Sequence, residues 1–315
     1  MKKVLITGAS GTIGKKVIKY LLSEGKYEIT ALDVKTRKNY KVLKRYRKRI
    51  QIIFDDICNK SLIDSLIKDN DIVIHLASSL PPISNLDEDI MQNNDFTGTK
   101  IIVDSIKKYN PQCYLIYTSS TSIYGERENF TDISINDNPN IPYTDFFSKY
   151  KLKSEQYITK NLKNYTIYRL SYVLGNIKED NIVYNLPINS EIEPILNENA
   201  AYAIVATIDN KKTLNRKTMN LTGGKNYRIS YRDYLIKILE CYGLTIKIWH
   251  SLLFVDKNFY NGYYEKDKLN EILNYQTKNI NVYLDSLEEY KGDIRRYIPR
   301  LLAIPVIFIL KRKKK

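Results

Sequence analysis

A chain of 315 residues with 43% apolar side chains is long enough for one large domain or two modest ones, and too apolar for disorder or a coiled coil. Its formal charge of +15 is unevenly placed: nine Lys or Arg lie between Lys35 and Arg49 and eight more follow Asp293. Neither run contains an acid, so the rest of the chain is near neutral at −2. That excludes a general nucleic-acid-coating surface, and no nucleic-acid partner is expected.

No stretch reaches the roughly 20 apolar residues of a spanning helix, and the opening run of Val4 to Ile6 is too short for a secretory signal. Cys58, Cys113 and Cys241 are far apart and lack CxxC spacing. They point to a reduced, cytoplasmic chain with no disulfide framework and no metal site.

In chain order, Lys3–Thr7 reads as a strand and Thr12–Ser23 as an amphipathic helix with Ile13, Val17, Ile18 and Leu21 inward. Strands follow at 27–32 and 50–54, a helix at 61–68 and a buried strand at 71–76. Next come a helix at 89–109, a strand at 113–118, a helix at 147–160 and a strand at 166–170. Short apolar strands alternating with helices imply an α/β fold with a doubly wound parallel sheet. Beyond Gly175 the pattern loosens, with helices at 200–208 and 230–241 and a strand near 218–221. The expected organisation is a nucleotide-binding domain over 1–175 with segments returning from the second half. A smaller substrate cap at 176–293 and a basic, apolar tail at 294–315 complete it.

Between the first strand and helix stands Thr7-Gly8-Ala9-Ser10-Gly11-Thr12-Ile13-Gly14. Gly8 permits a tight turn, Gly11 lets backbone approach a pyrophosphate, and Gly14 lets helix pack on strand. Ser10, Thr12 and Ile13 fill the loop between them. Asp33, ending the second strand, can accept ribose hydroxyls and repels a 2′-phosphate, which favours NAD over NADP. Lys35, Arg37 and Lys38 follow closely enough to keep NADP open.

The motifs continue in order with Asp55-Asp56-Ile57, His75-Leu76-Ala77-Ser78, Thr97-Gly98-Thr99, Tyr117-Thr118-Ser119-Ser120 before Ile123-Tyr124-Gly125, Lys151 to Glu155, and Arg169-Leu170-Ser171. Together they resemble the extended short-chain dehydrogenase/reductase superfamily, and within it the NAD-dependent epimerase/dehydratase family of nucleotide-sugar enzymes. The resemblance covers roughly residues 1–290. It implies a Rossmann-type sheet with a C-terminal substrate-binding cap, NAD as cofactor and a nucleotide sugar as small-molecule partner. Carried over by position, Asp56 and Ile57 contact the adenine, while Leu76, Ala77 and Ser78 line the cofactor cleft. Where the family places Asn three residues before the Gly of its GT pair, this chain has Asp95, with Asn94 beside it.

The family's chemistry transfers hydride from a sugar hydroxyl carbon to nicotinamide. A Tyr takes the hydroxyl proton, a Lys four residues later lowers the Tyr pKa, and a Ser orients the substrate. Ser120 and Lys151 occupy the Ser and Lys positions, and Phe147 stands where the Tyr belongs. Phe keeps the ring but has no oxygen to titrate. Tyr143 and Tyr150 are the candidate substitutes. The expected function is therefore an epimerase- or dehydratase-like enzyme, and the alternative is a catalytically impaired homologue that binds NAD or a nucleotide sugar in a structural or regulatory role. His75 reads as a packed, hydrogen-bonded core residue, and His250 has no partner spacing for a metal. Arg228, Tyr263 and Tyr264 could meet a nucleotide or merely pack.

Residues 301–310 are apolar without interruption, between Arg300 and five basic residues. Ten residues are too few to span a bilayer and suit an interfacial segment, so 295–315 could touch a membrane surface or pack on the cap or a dimer partner. The Lys35–Arg49 run reads as a solvated helix and loop beside the adenosine site.

Overall fold

The computed structural model describes residues 1–80, 88–125, 132–175, 188, 190–241, 262–265 and 268–294. Within the expected cap, residues 176–187, 189, 242–261 and 266–267 lie outside the described residues, as do His250 and the tail 295–315.

The glycine loop separates β1 (Lys2–Thr7) from α1 (Gly14–Glu24), and β2 (Tyr27–Asp33) follows. After α2 (Arg37–Leu43) and a short 3₁₀ turn come β3 (Gln51–Phe54), α3 (Lys60–Asp69) and β4 (Ile72–His75). The helix expected at 89–109 is composite. A single turn, α4 (Glu88–Ile90), runs through a π-helical stretch (Met91–Phe96) into α5 (Thr97–Tyr109). Then β5 (Tyr114–Ser120), α6 (Phe146–Asn161) and β6 (Tyr165–Leu170) complete the first half. The inward residues of α1 are Val17, Ile18 and Leu21, as its periodicity requires, and Gly25 ends it in the left-handed conformation at φ 66°.

In the second half, β7 (Val173–Leu174), β8 (Glu191–Ile192) and β9 (Ile195–Leu196) are two-residue strands. They are followed by α7 (Asn197–Ala206), α8 (Lys211–Leu214) and β10 (Lys217–Leu221). The chain continues with β11 (Ile229–Ser230), α9 (Tyr231–Cys241), α10 (Lys268–Leu273) and α11 (Ile280–Ile294).

Seven strands form one parallel sheet in the order β10-β6-β5-β4-β1-β2-β3. Strand order reverses between β1 and β4, the position where open α/β sheets bind ligands beyond their carboxyl ends. One core covers the α1 face and includes Val4, Ile6, Val17 and Ile74. The second half contributes Ile204, Leu214, Leu221 and Leu269 to that same core, so returning segments finish the first layer. A second core, on the α3, α5 and α6 face, holds Leu5, Ile63, Ile102, Tyr117 and Ile158. A separate apolar cluster of Ile192, Tyr231, Tyr234, Ile238 and Tyr283 joins β8, α9 and α11.

Candidate active site and dinucleotide cleft

The parallel sheet brings the ends of β1, β4 and β5 to one edge, and each carries a motif. Gly8, directly after β1, has φ 66°, and a Cβ there would lie 2.7 Å from the Ala77 nitrogen. The loop after β4 therefore lies against the glycine loop, which explains glycine at this position. A Cβ at Gly14 would approach the Ala9 and Gly8 carbonyl oxygens to 2.6 Å, whereas one at Gly11 would meet only the Gly8 oxygen, at 3.1 Å. Gly14 thus serves packing, and Gly11 stands at the exposed rim. No side chain caps α1, and its first turn carries no acid, so its amide end suits an anion.

Asp33 accepts from the Ser10 amide at 2.8 Å, the Val34 amide at 2.9 Å and the Asn39 side chain at 3.1 Å. A carboxylate has about four acceptor sites, so one remains for a ribose hydroxyl. Asp56 accepts from the Cys58 amide at 2.8 Å, which turns the chain after β3. Ile57 packs so closely on Gly98 that a Cβ there would come within 2.3 Å of its Cδ1. These residues fit a dinucleotide: glycines at the close approaches, an uncapped helix end and an acid at the end of β2.

Behind the cleft, hydrogen bonds fix the imidazole of His75. The Ala77 amide donates to Thr7 Oγ1, and the Thr7 hydroxyl donates to His75 Nδ1 at 2.7 Å. His75 Nε2 donates to Thr99 Oγ1 at 2.9 Å, and that hydroxyl donates to the Asp95 carbonyl at 2.8 Å. Burial first, and the charge of Lys151 second, push the His75 pKa down to about 3. It is a neutral structural residue that ties β1 and β4 to α5, in keeping with its reading from sequence.

Lys151 lies on α6, its Nζ buried and donating to the Thr118 carbonyl at 3.1 Å. Its ammonium is 5.1 Å from the Tyr117 ring centre and 5.6 Å from that of Phe147. Burial lowers its pKa, while the charges of Asp95 and Glu155 act in the opposite sense. Glu155, one turn along α6, is fixed to β6 by Arg169, whose Nε and terminal nitrogen donate to the carboxylate at 2.8–3.2 Å. The start of α6 is capped by Asp145, which takes the Ser148 amide and hydroxyl. Ser120, at the end of β5, accepts from the Ser122 amide at 3.1 Å.

Phe147 is 7% exposed and packs with Met91 and Tyr150, so its ring is present beside Lys151 and the phenolic oxygen is not. The two candidate substitute tyrosines lie in different surroundings. Tyr143 is 90% exposed, two residues before the α6 cap. The Tyr150 hydroxyl donates to Gln92 at 2.8 Å and Glu88 at 3.0 Å, and burial with the Glu88 contact raises its pKa. In this arrangement neither hydroxyl takes the place that the Phe147 ring leaves bare.

Asp95 lies in the π-helical stretch, and both its carboxylate oxygens accept from the Ser79 amide, at 3.0 and 3.1 Å. Its charge beside a buried lysine was not visible in the sequence as anything but a departure from pattern. Arg228 is held by Glu193 at 3.0 Å and the Tyr264 carbonyl at 3.0 Å, over the Tyr263 ring at 4.2 Å. Among the described residues no group of three or more His, Cys, Asp or Glu is placed to hold a metal, and no helix is long and apolar enough to cross a membrane.

The profile of the NAD dependent epimerase/dehydratase family matches residues 4–190, more than half of the chain. The chain belongs to that family. Among curated members, sterol-4-alpha-carboxylate 3-dehydrogenase, decarboxylating, of Mus musculus is 28% identical over 159 residues, 49% of this chain and 40% of that protein. CDP-paratose 2-epimerase of Salmonella typhi is 27% identical over 134 residues, 41% of this chain and 39% of that protein. The chain thus spans about two fifths of the length of these curated relatives. The UDP-glucuronic acid 4-epimerase of Bacillus cereus, solved with UDP-glucuronic acid and NAD, superposes with a TM-score of 0.74 at 20% identity. That superposition covers 93% of this family member and 99% of the solved chain, so the two share a fold.

Proposed function

We propose that this family member binds NAD, in preference to NADP, together with a nucleotide sugar, and that its chemistry is hydride transfer at a sugar hydroxyl carbon. The observation that carries the proposal is the convergence of the glycine loop, Asp33, Ser120 and buried Lys151 at one edge of the sheet. NAD supplies a reversible hydride acceptor when bound. The residues that would hold it are the Gly8–Gly14 loop at the phosphates, Asp33 at the ribose and Asp56 with Ile57 at the adenine, while Leu76, Ala77 and Ser78 line the cleft.

Ser120 would orient the reacting hydroxyl, and Lys151 would hold positive charge behind it. Arg228 is pre-set by Glu193 and Tyr263, and it keeps one terminal nitrogen without a partner among the described residues, which suits a sugar nucleotide's phosphate. The hydroxyl proton has no phenolate to receive it at Phe147. Loss of a general base costs about 10²–10⁴ in rate. Phe147 therefore favours a second reading, in which the chain keeps ligand binding but turns over slowly and acts in a structural or regulatory role.

Gly11→Val, at the exposed rim, is expected to abolish NAD binding without unfolding the chain, and unchanged affinity would sink the cofactor assignment. With UDP-, GDP- and dTDP-sugars and NAD, Phe147→Tyr is expected to raise turnover by about 10² or more. A wild type already turning over near ~10 s⁻¹ would reject the impaired reading. Tyr143→Phe and Tyr150→Phe would then identify the base. A cytoplasmic location, self-association as a homodimer and membrane-surface contact through 295–315 are further parts of the proposal, the last supported by the apolar run 301–310 between basic residues. Sedimentation velocity tests the dimer.

A further inference from the structure

We propose that the surface formed by α2 and the turn after it is a docking face for an anionic phospholipid bilayer, independent of the cofactor and sugar assignments. All nine Lys and Arg between Lys35 and Arg49 are exposed, and none of them forms an ion pair among the described residues. Elsewhere some cations find a carboxylate within an i,i+4 pair or across elements, as Lys60–Asp64 and Lys26–Asp209 do, whereas this run contains no acid at all. Nine neighbouring cations left open make a field of one sign.

The face is held firmly. Thr36 caps α2 by accepting from the Asn39 amide at 3.0 Å, and Leu43 is buried in the core on the α1 side. Asn39 donates to Asp33, which ties the patch to the end of β2. The patch connects β2 to β3, the edge strand of the sheet, so it lies at one side of the sheet.

Two large apolar side chains stand in or beside the patch at about half exposure, Tyr40 at 49% and Val34 at 47%. A tyrosine among basic residues suits the headgroup level, where an amphipathic ring meets both apolar and wet surroundings. The chain's other acid-free basic run brackets ten apolar residues at 301–310, too few to span a bilayer but suited to its interface. A nucleic acid fits less well. Tyr40 is the patch's one exposed aromatic ring among the described residues, whereas single-strand binders stack successive bases on several.

The test is co-sedimentation of the full chain with phosphatidylcholine vesicles, with and without phosphatidylglycerol. Binding is expected only to the anionic vesicles and is expected to weaken as ionic strength rises. Lys41, Lys44, Arg45 and Lys48 changed together to Gln are expected to lower partitioning at least about tenfold. A control that removes four exposed lysines elsewhere (Lys19, Lys211, Lys212 and Lys217 to Gln) is expected to retain it. Lys41→Arg, Lys44→Arg and Lys48→Arg, which keep the charge, are expected to bind as the wild type does. Equal partitioning of the two Gln variants would overturn the proposal, because binding would then follow net charge or the tail. Equal binding to neutral vesicles, or tighter binding to single-stranded RNA than to anionic vesicles, would overturn it too.

Discussion

His75 is buried between two threonines that use both of its ring nitrogens, and burial holds its pKa at about 3. The unfolded chain has an ordinary histidine near 6.5, so between pH 6.5 and 3 the unfolded state binds a proton that the folded state refuses. Stability is therefore lost as pH falls through that window, by up to about 2–3 kcal/mol near pH ~4.5. His75→Asn is expected to be less stable at neutral pH but to show a flatter acid limb, read from urea midpoints at two pH values. Parallel pH dependences of the two proteins would reject the histidine as the source. Asp95 acts at the other end of the same hydrogen-bonded chain. Its charge counters the burial that depresses Lys151, so Asp95→Asn is expected to lower the lysine pKa further. The alkaline limb of NAD affinity would then move to lower pH, and an unmoved limb would separate Asp95 from Lys151. The sequence exposed Asp95 only as a departure from pattern, because what a carboxylate does there depends on which cation the fold brings beside it.

At the scale of elements, two contacts set where α5 and α6 lie. The start of α5 carries Gly98 against Ile57, where a Cβ would fall 2.3 Å from that side chain's Cδ1. Gly98→Ala is expected to cost about 1–3 kcal/mol through overpacking. In an Ile57→Ala background the same change should be neutral or stabilising, since alanine is the better helix former. A double-mutant cycle with zero coupling would refute the contact. On α6, Glu155 and Arg169 form a buried pair with side chains 6% and 10% exposed. Glu155→Ala strands the guanidinium and is expected to cost about 3–5 kcal/mol in thermal unfolding, whereas a loss below about 1 kcal/mol would mean a solvated pair. Helix existence and the Lys151-to-Phe147 spacing were legible in the sequence, because 3.6-residue periodicity is a local property. The π-helical stretch at Met91–Phe96 was not, since a wider turn leaves the apolar pattern nearly unchanged. Nor were the hydroxyl partners of Tyr150, which come from residues about 60 positions away.

Across the whole molecule, the first half could be read as βαβ units because each strand and helix signals its own burial. The second half resisted because its segments divide between two places. β10 and α7 complete the α1 face of the sheet, while α9 and α11 close a separate cluster with β8. An apolar helix carries no local mark of which core it will enter. This division bears on the expected boundary near Gly175. Ile204, Ile208, Leu214, Leu221, Leu269 and Leu273 are all buried in the core that begins with Val4 and Ile6. Six such side chains contribute roughly 9–18 kcal/mol of burial, comparable to or greater than the roughly 5–15 kcal/mol net stability of a domain. Ending the chain at Gly175 would also leave β6 as an unpaired edge, since β10 is its outer neighbour. Residues 1–175 alone, although they hold the glycine loop, Asp33, Ser120 and Lys151, are therefore expected to be aggregated or molten and to bind no NAD. Dispersed amide resonances and cooperative unfolding of that fragment would show instead that the cofactor-binding half is an autonomous domain, and that the returning segments are additions to it rather than part of its core.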